Sequence, residues 1–340
     1  MNQEKETRVL VVDAVHPEGY RIAEAATVLR GGGLVAFPTE TVYGLGADAS
    51  SAEAVAGIFT AKGRPSDNPL IVHVADRAML AQLVKSIPAK AERLMERFWP
   101  GPLTLILHKQ AGVPDEVTCG LPTVGVRMPD HPVALALIRA AGVAVAAPSA
   151  NASGRPSPTA ADHVMEDLAG RIDMVVDGGD TGVGLESTVL DMTADPPVVL
   201  RPGGVTVEQL TEEIGLVLVD RSVHGGEGAA APRSPGMKYK HYAPSAPVVL
   251  VDGPVLLMQA KIRDLVYEYQ EDGARVGIMC SAESRGVYQS PVILEYGSRD
   301  DLAGMASDLF STLRAFDRHG VDVILVEGVP STGIGLAIMN

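Results

Sequence analysis

The stretch Thr188-Val189-Leu190-Asp191-Met192-Thr193-Ala194-Asp195-Pro196-Pro197-Val198-Val199-Leu200-Arg201 sets two apolar, β-prone runs on either side of a proline turn. No crossover helix fits between them, so two adjacent strands joined this tightly run antiparallel. Around them, strand-like runs alternate with segments of helical length and period, the pattern of an α/β protein. The sheet is therefore mixed. Working back from 188, strands are expected at 174–176 and 143–147, with a helix over 160–168 between them. A helix at 132–141 and strands at 124–128 and 103–108 precede these, and a helical segment over 78–98 is interrupted at Pro88. Further back come the apolar run 70–74, a helix over 51–61 and a strand at 34–37. An amphipathic stripe of Ile22, Ala25, Ala26 and Leu29 stops at Gly31-Gly32-Gly33, where glycine relieves the left-handed cap. Forward from 201, a helix over 207–214 closes the first region.

From 222 to 247 the composition turns to Gly, Ala, Pro and Ser. Inside this spacer sit Lys238, Tyr239, Lys240, His241 and Tyr242, more chemistry than an inert linker carries. Beyond it, strands at 248–251, 276–279, 292–294 and 323–326 alternate with helices over 256–269 and 302–319, a small Rossmann-like parallel sheet. A further helix begins at 335–340.

Composition excludes several classes. With 340 residues, 46% hydrophobic and 21% charged, the chain is globular and long enough for two domains. Its 42 acidic and 28 basic side chains give a formal net charge of −14, and only 4% are aromatic. Sequence-independent grip on RNA or DNA relies on Lys and Arg meeting phosphate and on stacking platforms, so strong direct nucleic-acid binding is not expected. Any anionic ligand must be met locally. Cys119 and Cys280 are too few for a disulfide framework or a Cys-x-x-Cys metal knuckle. The charged start runs straight into apolar 9–12 without a secretory or transit pattern, and no apolar run approaches the roughly 20 residues of a membrane span. A soluble, cytoplasmic protein is the expectation.

No Gly-x-x-x-x-Gly-Lys-Ser/Thr loop is present. Gly44-Leu45-Gly46-Ala47-Asp48-Ala49 fits a relaxed dinucleotide pattern, but 38–43 intervene between it and the preceding strand, which argues against a nicotinamide site. Lys62-Gly63-Arg64-Pro65-Ser66-Asp67-Asn68-Pro69 sets two cations and an amide in a stiff loop after a helix, suited to polyphosphate. A solvated helix end also favours Lys and Arg, so this loop alone leaves both readings open. Ser149, Asn151, Ser153 and Ser157 supply small donors at the carboxyl end of strand 143–147, where open α/β sheets bind ligands; an ordinary turn has the same composition. Thr123 with Arg127, Glu186-Ser187-Thr188, and Leu200-Arg201-Pro202-Gly203-Gly204 lie at strand boundaries. An arginine there is costly to desolvate without an anionic partner. There is no His-Glu-x-x-His and no Gly-x-Ser-x-Gly elbow, so neither a metal ligand set nor a covalent nucleophile stands out. Such residues suit a reaction of positioning and charge neutralisation, such as attack on a nucleotide phosphate.

Four of these stretches in this order, Phe37-Pro38-Thr39-Glu40-Thr41-Val42-Tyr43-Gly44-Leu45, the 62–69 loop, Pro148-Ser149-Ala150-Asn151 and the 234–244 segment, resemble the threonylcarbamoyl-AMP synthases in their long, two-domain form. The resemblance covers nearly the whole chain. It implies a YrdC-like twisted mixed sheet with helices as catalytic domain over 1–217, a linker or lid over 218–247, and a Rossmann-like accessory domain over 248–340. The implied reaction joins L-threonine, bicarbonate and ATP, with Mg2+ on the nucleotide, into threonylcarbamoyl-AMP and pyrophosphate. The product then passes to a tRNA threonylcarbamoyl-transferase complex. Carried over residue by residue, threonine contacts fall on Thr41, His73, Arg127 and Ser187, with Ala147 nearby. ATP contacts fall on Arg64, Asn68, Thr123, Ser149, Asn151, Ser157 and Arg201, with His241 and Tyr242 capping the nucleotide. Lys62 and Arg64 are the implied catalytic cations, and no protein metal ligand is assigned. Family members usually continue past the 335–340 ending, so a shortened last helix is expected.

Two other readings compete. An RNA-binding or regulatory module could use the same basic concavity, but the acidic balance and scarce aromatics oppose it. A carbamoyl-adenylate enzyme of hydrogenase maturation shares the catalytic domain, yet zinc-finger cysteines and an acylphosphatase-like region are missing here.

Overall fold

The computed structural model describes residues 5–224 and 243–340. It divides into two compact units: the first runs to Ser153 and resumes at Ser157, and the second takes Gly154–Pro156 together with the C-terminal part of the chain.

In the first unit, β1 (Arg8–Val11), α1 (Gly19–Arg30), β2 (Val35–Phe37), β3 (Gly44–Asp48), α2 (Ala52–Lys62) and β4 (Ile71–His73) lead to α3 (Arg77–Leu83) and α4 (Ala89–Phe98). Then follow β5 (Leu103–His108), a short α5 (Asp115–Thr118), β6 (Thr123–Arg127), α6 (Pro132–Ala141), β7 (Val145–Ala146), α7 (Ala161–Leu168) and β8 (Met174–Asp177). β9 (Thr188–Asp191), β10 (Val198–Arg201), α8 (Val207–Ile214) and β11 (Leu218–Val219) complete it. The strands form a mixed sheet in the order β1-β8-β2-β3-β7-β4-β6-β5-β9-β10-β11. As their short connection requires, β9 and β10 are antiparallel, with a register shift between Val199 and Arg201.

Local chemistry sets the helix ends. Ser51 caps α2 by accepting from the amide of Ala54, and Gly63 closes it at φ 61°, a left-handed position that costs glycine nothing. Pro88 interrupts the 78–98 segment as its missing N–H and fixed φ require, leaving α3 and α4 on either side. α8 begins with a reciprocal capping box between Thr206 and Gln209.

Strand alternation gives the sheet two different faces. Val72, Leu103, Leu105, Leu107, Val124, Val126 and Leu190 point into the large core, where α2, α3, α4, α7 and α8 contribute Ile58, Leu80, Leu94, Leu168 and Leu210. The alternate residues face the other way. One half of that second face packs Val35, Phe37 and Val145 against α1 and α6 through Ile22, Leu29, Leu137 and Ile138. The other half carries a small separate apolar cluster of Ile71, Ile106, Val189 and Leu200. It also carries Thr123, Gly125 and Arg127 of β6, His73 of β4 and Thr104 of β5.

Residues 44–48, where the sequence offers a relaxed dinucleotide pattern and no strand is expected, form β3, antiparallel to β2 through Phe37↔Gly44 and Val35↔Gly46. Its glycines serve packing: a Cβ on Gly46 would come within 2.8 Å of both Phe37 and Val145. No phosphate loop starts a helix there.

The second unit contains β12 (Val248–Val251), α9 (Val255–Glu271), β13 (Val276–Cys280), β14 (Val292–Glu295), α10 (Leu302–His319), β15 (Val323–Glu327) and α11 (Gly335–Met339). Its four strands are all parallel, in the order β12-β15-β13-β14. The core holds Met258, Ile262, Val276, Ile278 and Leu325. Glu327, fully buried at the carboxyl edge, accepts hydrogen bonds from Tyr288 Oη and the Ser281 amide and pairs with Arg299 at 3.1 Å. Burial pushes its pKa up, but these donors outweigh burial and hold it below the usual carboxylate value.

Candidate active site

Parallel pairing of β4 with β6 sets His73 beside Arg127 on the second face of the sheet. Both are buried, each with 4% of its surface exposed. Burial in a dry site, and next the neighbouring Arg127 charge, push the His73 pKa down to about 3, so the ring is neutral. Its edge meets Phe37. Arg127 Nη1 donates to Thr41 Oγ1 at 2.9 Å and Nε to the Gly101 carbonyl at 3.2 Å. Its Nη2 lies 2.6 Å from Glu40 Oε2. Thr41 in turn shares a 2.8 Å hydrogen bond with Thr39, which also donates to the Val42 carbonyl. The 38–43 turn after β2 is thereby stitched shut around Arg127.

A second knot lies where β9 begins and β10 ends. Arg201 donates through Nε and Nη2 to the Ser187 carbonyl at 3.1 and 2.9 Å, and through Nη2 to Ser187 Oγ at 3.2 Å. Ser187 Oγ also meets Thr104 Oγ1 at 2.8 Å. Ser157 Oγ donates to Glu186 Oε1, tying the 148–158 loop to the same place. Gly203 makes this possible, since a Cβ there would lie 2.3 Å from the Glu186 carbonyl oxygen and 2.4 Å from the Thr188 nitrogen. The segments Glu186-Ser187-Thr188 and Arg201-Pro202-Gly203-Gly204, far from decisive singly, form one structure. The stretch between Gly101 and Thr104 joins it to Arg127.

The 62–69 and 148–158 loops make a third group. Lys62, 3% exposed at the end of α2, donates to the carbonyls of Ser149 and Asn151 at 2.5 Å each and to Asn151 Oδ1 at 3.2 Å. These acceptors meet the needs of a buried ammonium, and the lysine clamps the loop from beneath. Ser149 Oγ donates to Asn151 Oδ1 at 2.6 Å. Arg64 Nη2 reaches the carbonyls of Asn68 and Pro69 at 3.2 and 3.4 Å. Arg64 also lines an open groove of about 850 Å³ with Asp67, Asp115, Glu116 and Cys119. Asn68 has 0% exposure and neither end of its side-chain amide hydrogen-bonded. A buried amide in that state awaits a ligand or costs stability. Thr123, opposite His108 at the start of β6, remains half-buried. The Ala147 amide is taken by the Ile71 carbonyl at 2.9 Å, which sets Ala147 close to β4. His241 and Tyr242 lie outside the described residues.

Glu40, Thr39 and Thr104 also belong to these groups, and no motif in the sequence singles them out. Glu40 and Thr39 stand inside the 37–45 stretch. Thr104 announces itself only as a lone hydroxyl in an otherwise apolar strand.

Two family models match the chain: one described as telomere recombination, of the Sua5, YciO and YrdC group, over residues 27–203, and one described as threonylcarbamoyl-AMP synthase, C-terminal domain, over 205–340. The chain is 52% identical to the threonylcarbamoyl-AMP synthase of Bacillus subtilis, covering 97% of this chain and 94% of that one. It is 51% identical to the protein of that name from Pyrococcus abyssi, covering 95% and 93%. The crystal structure of P. abyssi Sua5 complexed with L-threonine matches with a TM-score of 0.94 at 49% identity, covering 98% of this chain and 96% of that one.

Proposed function

The chain belongs to the threonylcarbamoyl-AMP synthase family, and on that premise we propose that it condenses L-threonine, bicarbonate and ATP to threonylcarbamoyl-AMP and pyrophosphate. The observation that carries this reading is the second face of the sheet, where a buried arginine, a neutral histidine and two hydroxyls meet. Arg127, Thr41, His73 and Ser187 take the amino acid, Arg127 offering a planar fork to its carboxylate. His73, held neutral by burial, offers or accepts a hydrogen bond without adding charge. Asn68, Thr123, Ser149, Asn151, Ser157 and Arg201 take the nucleotide from the loops around the same face, and His241 and Tyr242 belong to this group by family resemblance.

The chemistry runs in two steps. The threonine nitrogen, once its ammonium has given up a proton to solvent, forms a bond to the bicarbonate carbon and water leaves, giving a carbamate. A carbamate oxygen then forms a bond to the α-phosphorus, while the bond from that phosphorus to the bridging oxygen breaks and pyrophosphate departs with the electron pair. This is adenylyl transfer, so the enzyme is a nucleotidyltransferase. Two anions must approach each other in line, and the protein's work is to hold and neutralise them. Arg64 and Arg201 supply charge. Lys62 is a positioning residue in this arrangement, its protons spent on the loop that presents Ser149 and Asn151. Among the described residues no group of three or more His, Cys, Asp or Glu could hold a metal. Magnesium brought in with the nucleotide would offset phosphate charge, and no step above depends on a protein ligand for it. The product feeds a tRNA-modifying transferase in the cytoplasm, in keeping with a net charge of −14 that does not favour gripping tRNA directly. Among the described residues no helix is long and apolar enough to cross a membrane.

Purified protein should release pyrophosphate from ATP only when threonine and bicarbonate are both present, and Arg127→Ala should lower turnover at least about a hundredfold. Pyrophosphate release that ignores threonine would sink the reading.

A further inference from the structure

Glu40 and Arg127 are buried ions in contact whose mutual geometry is unfinished. Glu40 Oε2 lies 2.6 Å from Arg127 Nη2, and the Glu40 side chain is only 13% exposed. Yet neither Glu40 oxygen, nor Arg127 Nη2, makes a hydrogen bond of acceptable geometry. The remaining Arg127 nitrogens are well used, on Thr41 Oγ1 and the Gly101 carbonyl. Buried polar atoms left in this state cost free energy unless something else completes them. The missing partner must bring an acceptor for Arg127 Nη2 and a donor for Glu40 to nearly the same point.

An α-amino acid does that with adjacent groups: a carboxylate for the guanidinium and an ammonium for the carboxylate. His73, neutral and with its Nδ1 also without a hydrogen bond, can accept from the ammonium but brings no charge to balance it, whereas the Glu40 carboxylate brings both. Thr39 and Thr41 hydroxyls are already engaged with each other and with Val42. We infer that Glu40 receives the α-ammonium of the amino-acid substrate and is the residue that makes the site select an amino acid over a hydroxy acid of the same shape. This rests on the function proposed above and adds the group that recognises the amine. The backbone supports the assignment: the Val183 amide donates to the Glu40 carbonyl at 2.7 Å and the Gly184 amide to that of Thr41 at 3.1 Å, so the turn presenting Glu40 is pinned on its far side.

The test compares two ligands by calorimetry. L-threonine carries the amine; 3-hydroxybutanoate keeps the carboxylate and hydroxyl and lacks it. The native chain should prefer threonine. In Glu40→Gln, threonine affinity should fall at least about tenfold while 3-hydroxybutanoate binding changes less than about threefold, so that the preference collapses. ATP affinity and thermal melting report whether the variant is folded. Glu40→Asp, with the charge kept and the reach shortened, should lose threonine affinity selectively by a smaller factor, and it carries the test should Glu40→Gln fail to fold. A Glu40→Gln protein that keeps the native preference, or that loses both ligands equally, overturns the inference and leaves Glu40 as a mere counter-ion of Arg127. Native protein that binds no threonine overturns the proposed function instead, so the two failures are distinct.

Discussion

Within the candidate site, His73 is strongly changed by its surroundings. Its ordinary pKa is 6.5, and in the fold burial and the Arg127 charge bring it to about 3. Below 6.5 the unfolded chain takes up a proton that the folded chain refuses until about pH 3. The group's stabilising contribution is therefore complete above 6.5 and falls away as pH drops toward 3, by up to about 1.4 kcal/mol per pH unit. His131, also lowered by burial, adds a slope of the same sign. Replacing His73 with Gln should flatten the dependence, read as a smaller loss of unfolding free energy between about pH 6.5 and 5 in denaturant titrations. An unchanged slope would assign the effect to other groups. At this scale the sequence is a poor guide: a histidine in an apolar run reads equally as core or as ligand, and only the neighbouring strand supplies its partner.

Elements decide where those partners come from. The turn after β10 and the segment entering β9 interlock because Gly203 has no side chain. Gly203→Ala would drive a methyl into the Glu186 carbonyl and the Thr188 amide, which are backbone and cannot rotate away. It should cost about 1–3 kcal/mol or more of stability and weaken nucleotide binding. Gly112→Ala, where nothing lies within 4 Å of the added carbon, should change neither. Equal melting temperatures for the two variants would refute the interlock. The strongly periodic elements are legible in advance: α2 from its Ser51 cap and Gly63 stop, α6 from its leading Pro132, α10 from a long amphipathic run, and the β9–β10 hairpin from its short loop. β3 is not. Glycine is a poor strand former by propensity, and Gly44-Leu45-Gly46 is a strand because Phe37 and Val145 need the room. The site is legible as a set of stretches but not as an arrangement, since β4 and β6 meet across α3, α4, β5 and α5. Local pattern carries no record of which distant strands pair. Lys62 shows the limit most sharply: its cationic loop reads as a phosphate cradle, whereas its buried ammonium holds the neighbouring loop.

For the molecule as a whole, each unit owns a core, one spread over both faces of a broad mixed sheet and one within four parallel strands. The charge is lopsided, −14 overall, and the buried cations Lys62, Arg127 and Arg201 each donate to acceptors of the protein itself. The Glu40–Arg127 couple is electrically neutral before its ligand arrives, and a zwitterion inserted between them is neutral too. Binding there transfers no net charge from bulk to protein, so dissolved ions have little to screen. Threonine affinity should then stay within about twofold between roughly 50 and 500 mM sodium chloride, while that of the tetra-anionic nucleotide shifts severalfold over the same range. Calorimetric titrations at the two ionic strengths would show it, and an amino-acid affinity that tracked the nucleotide's would mean the couple is not where the substrate sits. A cell whose potassium content rises under osmotic stress would, on this arrangement, keep its hold on the amino acid while its grip on the nucleotide changed.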